Sequence, residues 1–98
     1  MPYSLTIRPE AEADISEAFQ YYESCREHLG SDFLLCIDAS FSRIQKSPEQ
    51  YREVYKNVHR ALVARFPYGI YYTKLGQNVV VVAVVHARRN PEHWKQRT

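Results

Sequence analysis

The chain has 98 residues, 24% of them charged and 45% hydrophobic. That length suits a single domain, expected to span residues 1–98, and one hydrophobic core burying roughly 60–70% of the unfolded surface. No apolar run reaches the roughly 20 residues of a membrane helix, so no membrane partner is expected. The first residues, Met1 to Thr6, lack the basic and apolar regions of a secretion signal, and a cytoplasmic protein is the expectation.

The net charge of +2 conceals a polarity: residues 1–50 carry 4 Lys/Arg against 9 Asp/Glu, and residues 51–98 carry 9 against 2. Two readings stay open, an anionic partner for the second half or two solvated faces that neutralise each other within one domain. Cys25 and Cys36 fall in helical patterns without C-x-x-C spacing and read as two reduced thiols.

In chain order, residues 3–8 alternate apolar and polar and predict a first strand. Pro9 suits the first turn of a helix. Ala11, Ile15, Ala18, Phe19, Tyr22, Cys25 and Leu29 then recur at helical steps, with Glu10, Glu12, Asp14 and Glu17 off that stripe and near the positive end of the helix dipole. Gly30 is expected to stop this helix, with Ser31 or Asp32 capping the next. Phe33, Leu34, Ile37, Phe41 and Ile44 form a second stripe that Ser47 and Pro48 end. Two helices of about 18 and 15 residues make an antiparallel hairpin.

The second half changes period. Residues 54–58, 60–66, 69–74 and 78–87 predict four strands, with short turns at 67–69 and 75–77 that make neighbours antiparallel. The fold class is α+β in the order β-α-α-β-β-β-β, with the hairpin on one face of a mostly antiparallel sheet and the other face open.

The long run from Val79 to Val85 reads as a strand buried on both faces, and it empties into His86, Arg88, Arg89, His93 and Trp94. Parity places Leu62, Ala64 and Phe66 toward the helices and Arg65 on the open face, where His86 and Arg88 are expected to join it. Two arginines offer planar forks to phosphate oxygens, and a histidine moves a proton near neutral pH. Arg65, His86 and Arg88 are therefore the candidate catalytic set for cleavage of an RNA phosphodiester, with Glu53 or His93 as a second proton-transfer group. Trp94 is either a stacking platform for a base or a plug that packs down a short helix over residues 91–97. Arg60, Arg89, His93 and Trp94 make up the candidate binding surface. Nucleotide-loop and nucleophile-elbow motifs are absent and the histidines lack ligand spacing, so no metal and no cofactor is expected.

The element order, the segment from Arg60 to Tyr72 and the ending from Val84 to Trp94 together resemble toxins of the RelE/ParE superfamily, over nearly the whole chain. The resemblance implies the toxin of a bacterial type II toxin–antitoxin module, often called a plasmid stabilisation protein. Its partner would be a cognate antitoxin, the pair repressing its own operon and meeting operator DNA only as that complex. RelE-like members cut mRNA on the ribosome with basic residues and often a C-terminal tyrosine. Here Arg65, His86 and Arg88 match part of that set, no tyrosine follows Tyr72, and lysines are few. ParE-like members poison DNA gyrase and are not enzymes. The segment from Phe66 to Tyr72 and the ending His86, Arg88, Arg89 look closer to ParE, so gyrase inhibition is the favoured expectation. An mRNA endonuclease and a non-toxic interaction protein on the same fold are the alternatives.

Overall fold

The computed structural model describes residues 3–97; Met1, Pro2 and Thr98, the ends of the expected domain, lie outside them. The elements are β1 (Ser4–Ile7), α1 (Pro9–Cys25), α2 (Leu29–Lys46), a 3-10 turn (Pro48–Gln50), β2 (Glu53–Tyr55), β3 (Val58–Leu62), β4 (Tyr68–Leu75), β5 (Asn78–His86) and α3 (Glu92–Lys95). The sheet order is β1-β5-β4-β3-β2. β1 runs parallel to β5, and the other neighbours are antiparallel. The predicted class and order hold. The predicted strand over 54–58 is a hairpin corner: β2 ends at Tyr55, Asn57 takes φ 57° in the turn, and β3 starts at Val58.

Pro9 stands in the first turn of α1 with Glu10 and Glu12 beside it, as the dipole favours. The helix ends at Cys25, earlier than Gly30. His28, at φ 71°, makes the left-handed link, and Gly30 lies buried inside the first turn of α2. A Cβ there would stand 2.8 Å from both the Phe19 ring and the Phe19 carbonyl oxygen. Gly30 is therefore demanded by close helix packing rather than by helix termination. The cap of α2 is Glu23, whose carboxylate accepts the N–H groups of His28 (3.0 Å) and Gly30 (2.9 Å). The His28 bond chiefly, and the Gly30 and Ser31 N–H groups with it, hold the Glu23 carboxyl below its ordinary value against a smaller push from burial.

The hairpin covers one sheet face. Phe33, Ile37, Phe41 and Ile44 of α2 and Ala11 and Ala18 of α1 pack on Ala61, Ile70, Tyr72, Val79, Val81 and Val84. In β3 the parity is the reverse of the expectation: Ala61, and Val63 just past the strand, face the helices, while Leu62 is 60% exposed; Phe66, in the turn beyond, packs on Tyr22 and Phe33 on the helix side as expected. Both parities of this segment are apolar, so sequence alone could not choose. In β5 a bulge intervenes: Tyr71 pairs with Ala83 and Tyr72 with Val81, leaving Val82 extra. Val82 and Ala83 both belong to the far-face cluster, and Val84 returns to the hairpin side. The far face is not fully open. Trp94 of α3 stacks on Tyr71 (4.5 Å, 24°) and meets Tyr55 edge-on (5.8 Å), closing a second apolar cluster with Val58, Val82 and Val85. Cys25 and Cys36 are both free thiols.

Candidate functional site

The cationic residues gather at one end of the sheet, where β5 stops. Ala87 N–H donates to Pro67 O (2.8 Å) and Arg89 N–H to His86 O (2.9 Å), so the chain leaves β5 in a tight turn. His86 Nδ1 accepts the Arg88 N–H at 3.1 Å, which assigns the proton of the neutral ring to Nε2. The ring stands edge-on to Tyr68 (5.5 Å, 73°). Because the bulge shifts parity, His86 lies on the hairpin side with Val84 instead of on the far face. The strand ends at His86, so Arg88 belongs to the turn and has no strand parity.

His86 and Arg89 line a cleft of about 510 Å³ against Asp14, Glu17 and Tyr21 of α1 and Tyr68 of β4. Its charge is mixed. Burial is the main cause that raises the Tyr68 phenol; Arg89 pulls it down, and Glu17 and Asp14 push it up. Tyr21, 60% exposed, forms part of the rim.

A clamp that sequence reading missed closes the edge of β5. β1 pairs with β5 only as far as Val81. Past that point Asp14 Oδ2 accepts the Val84 N–H (3.0 Å), and Arg97 Nη1 donates to Val82 O (3.0 Å). The two side chains also bind each other, Arg97 Nη1 to Oδ2 at 2.7 Å and Nη2 to Oδ1 at 3.2 Å. They are 13% and 15% exposed. This fork against a carboxylate substitutes for the missing strand. The bond from Asp14 is the chief cause that raises the Arg97 guanidinium above its ordinary value. Arg8 Nη1 donates to Arg97 O (2.8 Å), and the His93 ring sits 3.2 Å from Arg97 Nη2 and 3.4 Å from Arg89 Nη1. Nothing in the sequence links positions 83 residues apart; the only hint is an acidic residue on α1 with no helical partner three or four positions away.

The predicted catalytic set is divided. His86 and Arg88 meet in one turn. Arg65 lies in the β3–β4 turn at the same end of the sheet, but its φ of 72° turns it toward α2, with Nη2 3.6 Å from Asp32 and the guanidinium over the Phe66 ring. Of the predicted binding residues, Arg89 and His93 stand together, Trp94 is buried at 4% exposure, and Arg60 lies on the far face of β3. Glu53 accepts the Asn57 N–H within the β2–β3 turn. Among the described residues no cluster of three His, Cys, Asp or Glu could hold a metal, and no helix is long and apolar enough to cross a membrane.

A hairpin of helices laid on a five-stranded, mostly antiparallel sheet in the order β-α-α-β-β-β-β is the RelE/ParE-like fold. The profile of the family described as "ParE toxin of type II toxin-antitoxin system, parDE" matches residues 5–91, and the chain belongs to that family. No protein of curated function matches it. Among solved structures, it is similar to a chromosomal ParDE toxin–antitoxin system of P. aeruginosa, with TM-score 0.77 and 15% identity over 86% of this chain and 95% of that one. It is also similar to the toxin–antitoxin complex RelBE2 of Mycobacterium tuberculosis (TM-score 0.59, 15% identity, 88% and 99% covered). A mutant of the E. coli toxin RelE in the free state matches with TM-score 0.59 and 14% identity over 90% and 86%.

Proposed function

We propose that this chain is a toxin neutralised by a cognate antitoxin, and that it acts by docking on DNA gyrase rather than by cutting RNA. The observation that carries the choice of target is the structural employment of the residues an endonuclease would need. Arg65 is turned to the α2 side by its left-handed backbone, apart from the turn that His86 and Arg88 share, and His86 Nδ1 is held by the Arg88 N–H of its own turn. A general base must reach the proton it takes; with Nδ1 accepting the Arg88 N–H, Nε2 of the neutral ring carries the proton and has no lone pair with which to take another. Membership of the ParE family supports the same target. The likeness to a ParDE system and to a RelBE2 complex supports the antitoxin as partner.

The test is induction of the chain alone in a bacterial host, following thymidine and amino-acid incorporation together, then a supercoiling assay with purified gyrase. Thymidine incorporation should fall first, supercoiling should be inhibited, and His86→Ala should stay toxic. If protein synthesis falls first, with mRNA cleavage on the ribosome that His86→Ala reduces by about 100-fold, the mechanism is RNA cleavage and this reading is wrong.

A further inference from the structure

Arg60 is a cation that neither the clamp nor the turn explains. It is half-buried on the sheet face opposite the hairpin, sharing that face with Val58 and Leu62. Its aliphatic stem lies across Gly69 of β4: a Cβ at that glycine would stand 3.3 Å from both Arg60 Cγ and Cδ and 3.2 Å from the Tyr71 ring. Gly69 thus leaves a notch in the sheet, and the arginine stem occupies it beside Tyr71, whose other neighbour is Trp94. A side chain seated this way gives up less rotamer freedom on binding than one loose in solvent. Among the described residues the Arg60 guanidinium has no hydrogen bond, ion pair or ring contact, whereas Arg97 and Arg65 each hold an aspartate. Leu62, directly across from Gly69, is 60% exposed.

A seated cation with no counter-ion among the described residues, next to an exposed leucine, is complementary to a carboxylate next to an aliphatic side chain. A phosphate backbone would call for a row of cations; the neighbours of Arg60 on its own strand face are Val58 and Leu62, and Lys95, a cation of α3 on this face, is held over the Tyr55 and Trp94 rings. We infer that this face is a protein docking surface on which Arg60 pairs with a partner carboxylate and Leu62 is covered by an aliphatic group. Resting on the reading above, the partner is an acidic, aliphatic surface segment of gyrase.

The experiment measures inhibition of supercoiling and direct binding to purified gyrase, for the whole chain and for Arg60→Glu, Arg60→Met and Leu62→Ala. Arg60→Met keeps a stem in the notch and removes the charge alone, so a folding defect does not decide the outcome. The half-inhibitory concentration should rise by about 30-fold or more for Arg60→Met, the scale for losing one partner of a desolvated charge pair, and by more again for Arg60→Glu, which sets like charges face to face. Leu62→Ala should raise it less, and Arg26→Glu, an exposed charge change at the end of α1, should leave it within about twofold. A wild-type chain that inhibits gyrase while Arg60→Glu inhibits equally overturns this docking face and leaves the target standing. A wild-type chain without effect on gyrase overturns the target and with it this partner. Binding that needs DNA as well as gyrase overturns the carboxylate in favour of a phosphodiester.

Discussion

Asp14 of α1 and Asp32 of α2 each hold an arginine from the basic half of the chain, and the two pairs are built on different terms. The Asp14–Arg97 pair is forked, 2.7 Å at its closest, and 13% and 15% exposed; its oxygens and nitrogens also serve the backbone of β5. The Asp32–Arg65 pair is a single contact of 3.6 Å, 38% and 60% exposed, between groups that satisfy no backbone atom. The acidic and basic halves therefore meet in two ways. One contact completes a sheet edge that β1 leaves unpaired after Val81. The other is a surface attraction that salt screens. Charge polarity along the sequence foretells both and distinguishes neither; what separates them is whether the pair is desolvated and whether backbone depends on it.

Asp14→Ala should produce the largest effect. It strands the Arg97 guanidinium and the Val84 N–H together, and removing one member of a buried pair costs about 3–5 kcal/mol. For a domain of this size each kcal/mol lowers Tm by about 4–8 °C, so a thermal melt reads the change directly. Trp94 fluorescence should shift as well, because Arg97 ties the tail that carries it. Equal melting of Asp14→Ala and Arg65→Ala would remove the distinction between the two pairs. Arg97→Lys sharpens it: an ammonium keeps the charge but cannot make the fork and the Val82 O bond in one plane, and the loss should be about 1–2 kcal/mol by the same melt.

Glu23 tests whether a carboxylate spent on backbone behaves like Asp14 without a cation. Its folded value lies below its ordinary 4.5 because His28 and Gly30 donate to it. Its contribution is therefore fully present above the unfolded value and is lost as pH falls through the folded one. Melts of the wild type and Glu23→Gln should differ most at neutral pH and converge in acid. A gap that stays constant down to pH 2 would assign the effect to something other than this titration.

Much of the fold was legible because its periods are clean. The stripes on α1 and α2 and the short turns at 67–69 and 75–77 placed both helices, β4 and β5, while the β2–β3 turn at Asn57 fell inside a predicted strand. The site was less legible for two local reasons. Residues 79–85 are six valines and one alanine, so an inserted residue changes no pattern; the bulge at Val82 was invisible, and it turned His86 to the hairpin side. The segment 61–64 is apolar at both parities, which inverted the face assigned to β3. Gly30 showed a glycine at a helix boundary, but the reason for it is the Phe19 carbonyl, which a Cβ at position 30 would meet at 2.8 Å, a tertiary fact. Trp94 as a plug for the tail was one of two open readings, and Tyr71 and Tyr55 decide it.

The smallest effects belong to Arg65, where two local terms oppose each other. Its φ of 72° is a left-handed conformation that costs a non-glycine residue about 1 kcal/mol. Its pair with Asp32 is exposed and is worth about 0–1 kcal/mol. Arg65→Ala keeps the backbone strain and loses the pair, so it should melt slightly below the wild type, and the difference should vanish in high salt. Arg65→Gly loses the pair and relieves the strain, which after glycine's extra unfolded entropy puts it between about 1 kcal/mol below and about 0.5 kcal/mol above the wild type. Arg65→Gly should therefore melt at or above Arg65→Ala at every salt concentration. If it melts clearly below, Arg65 stabilises the β3–β4 turn through its side chain, and its contact with the Phe66 ring at 5.7 Å becomes the interaction to remove next.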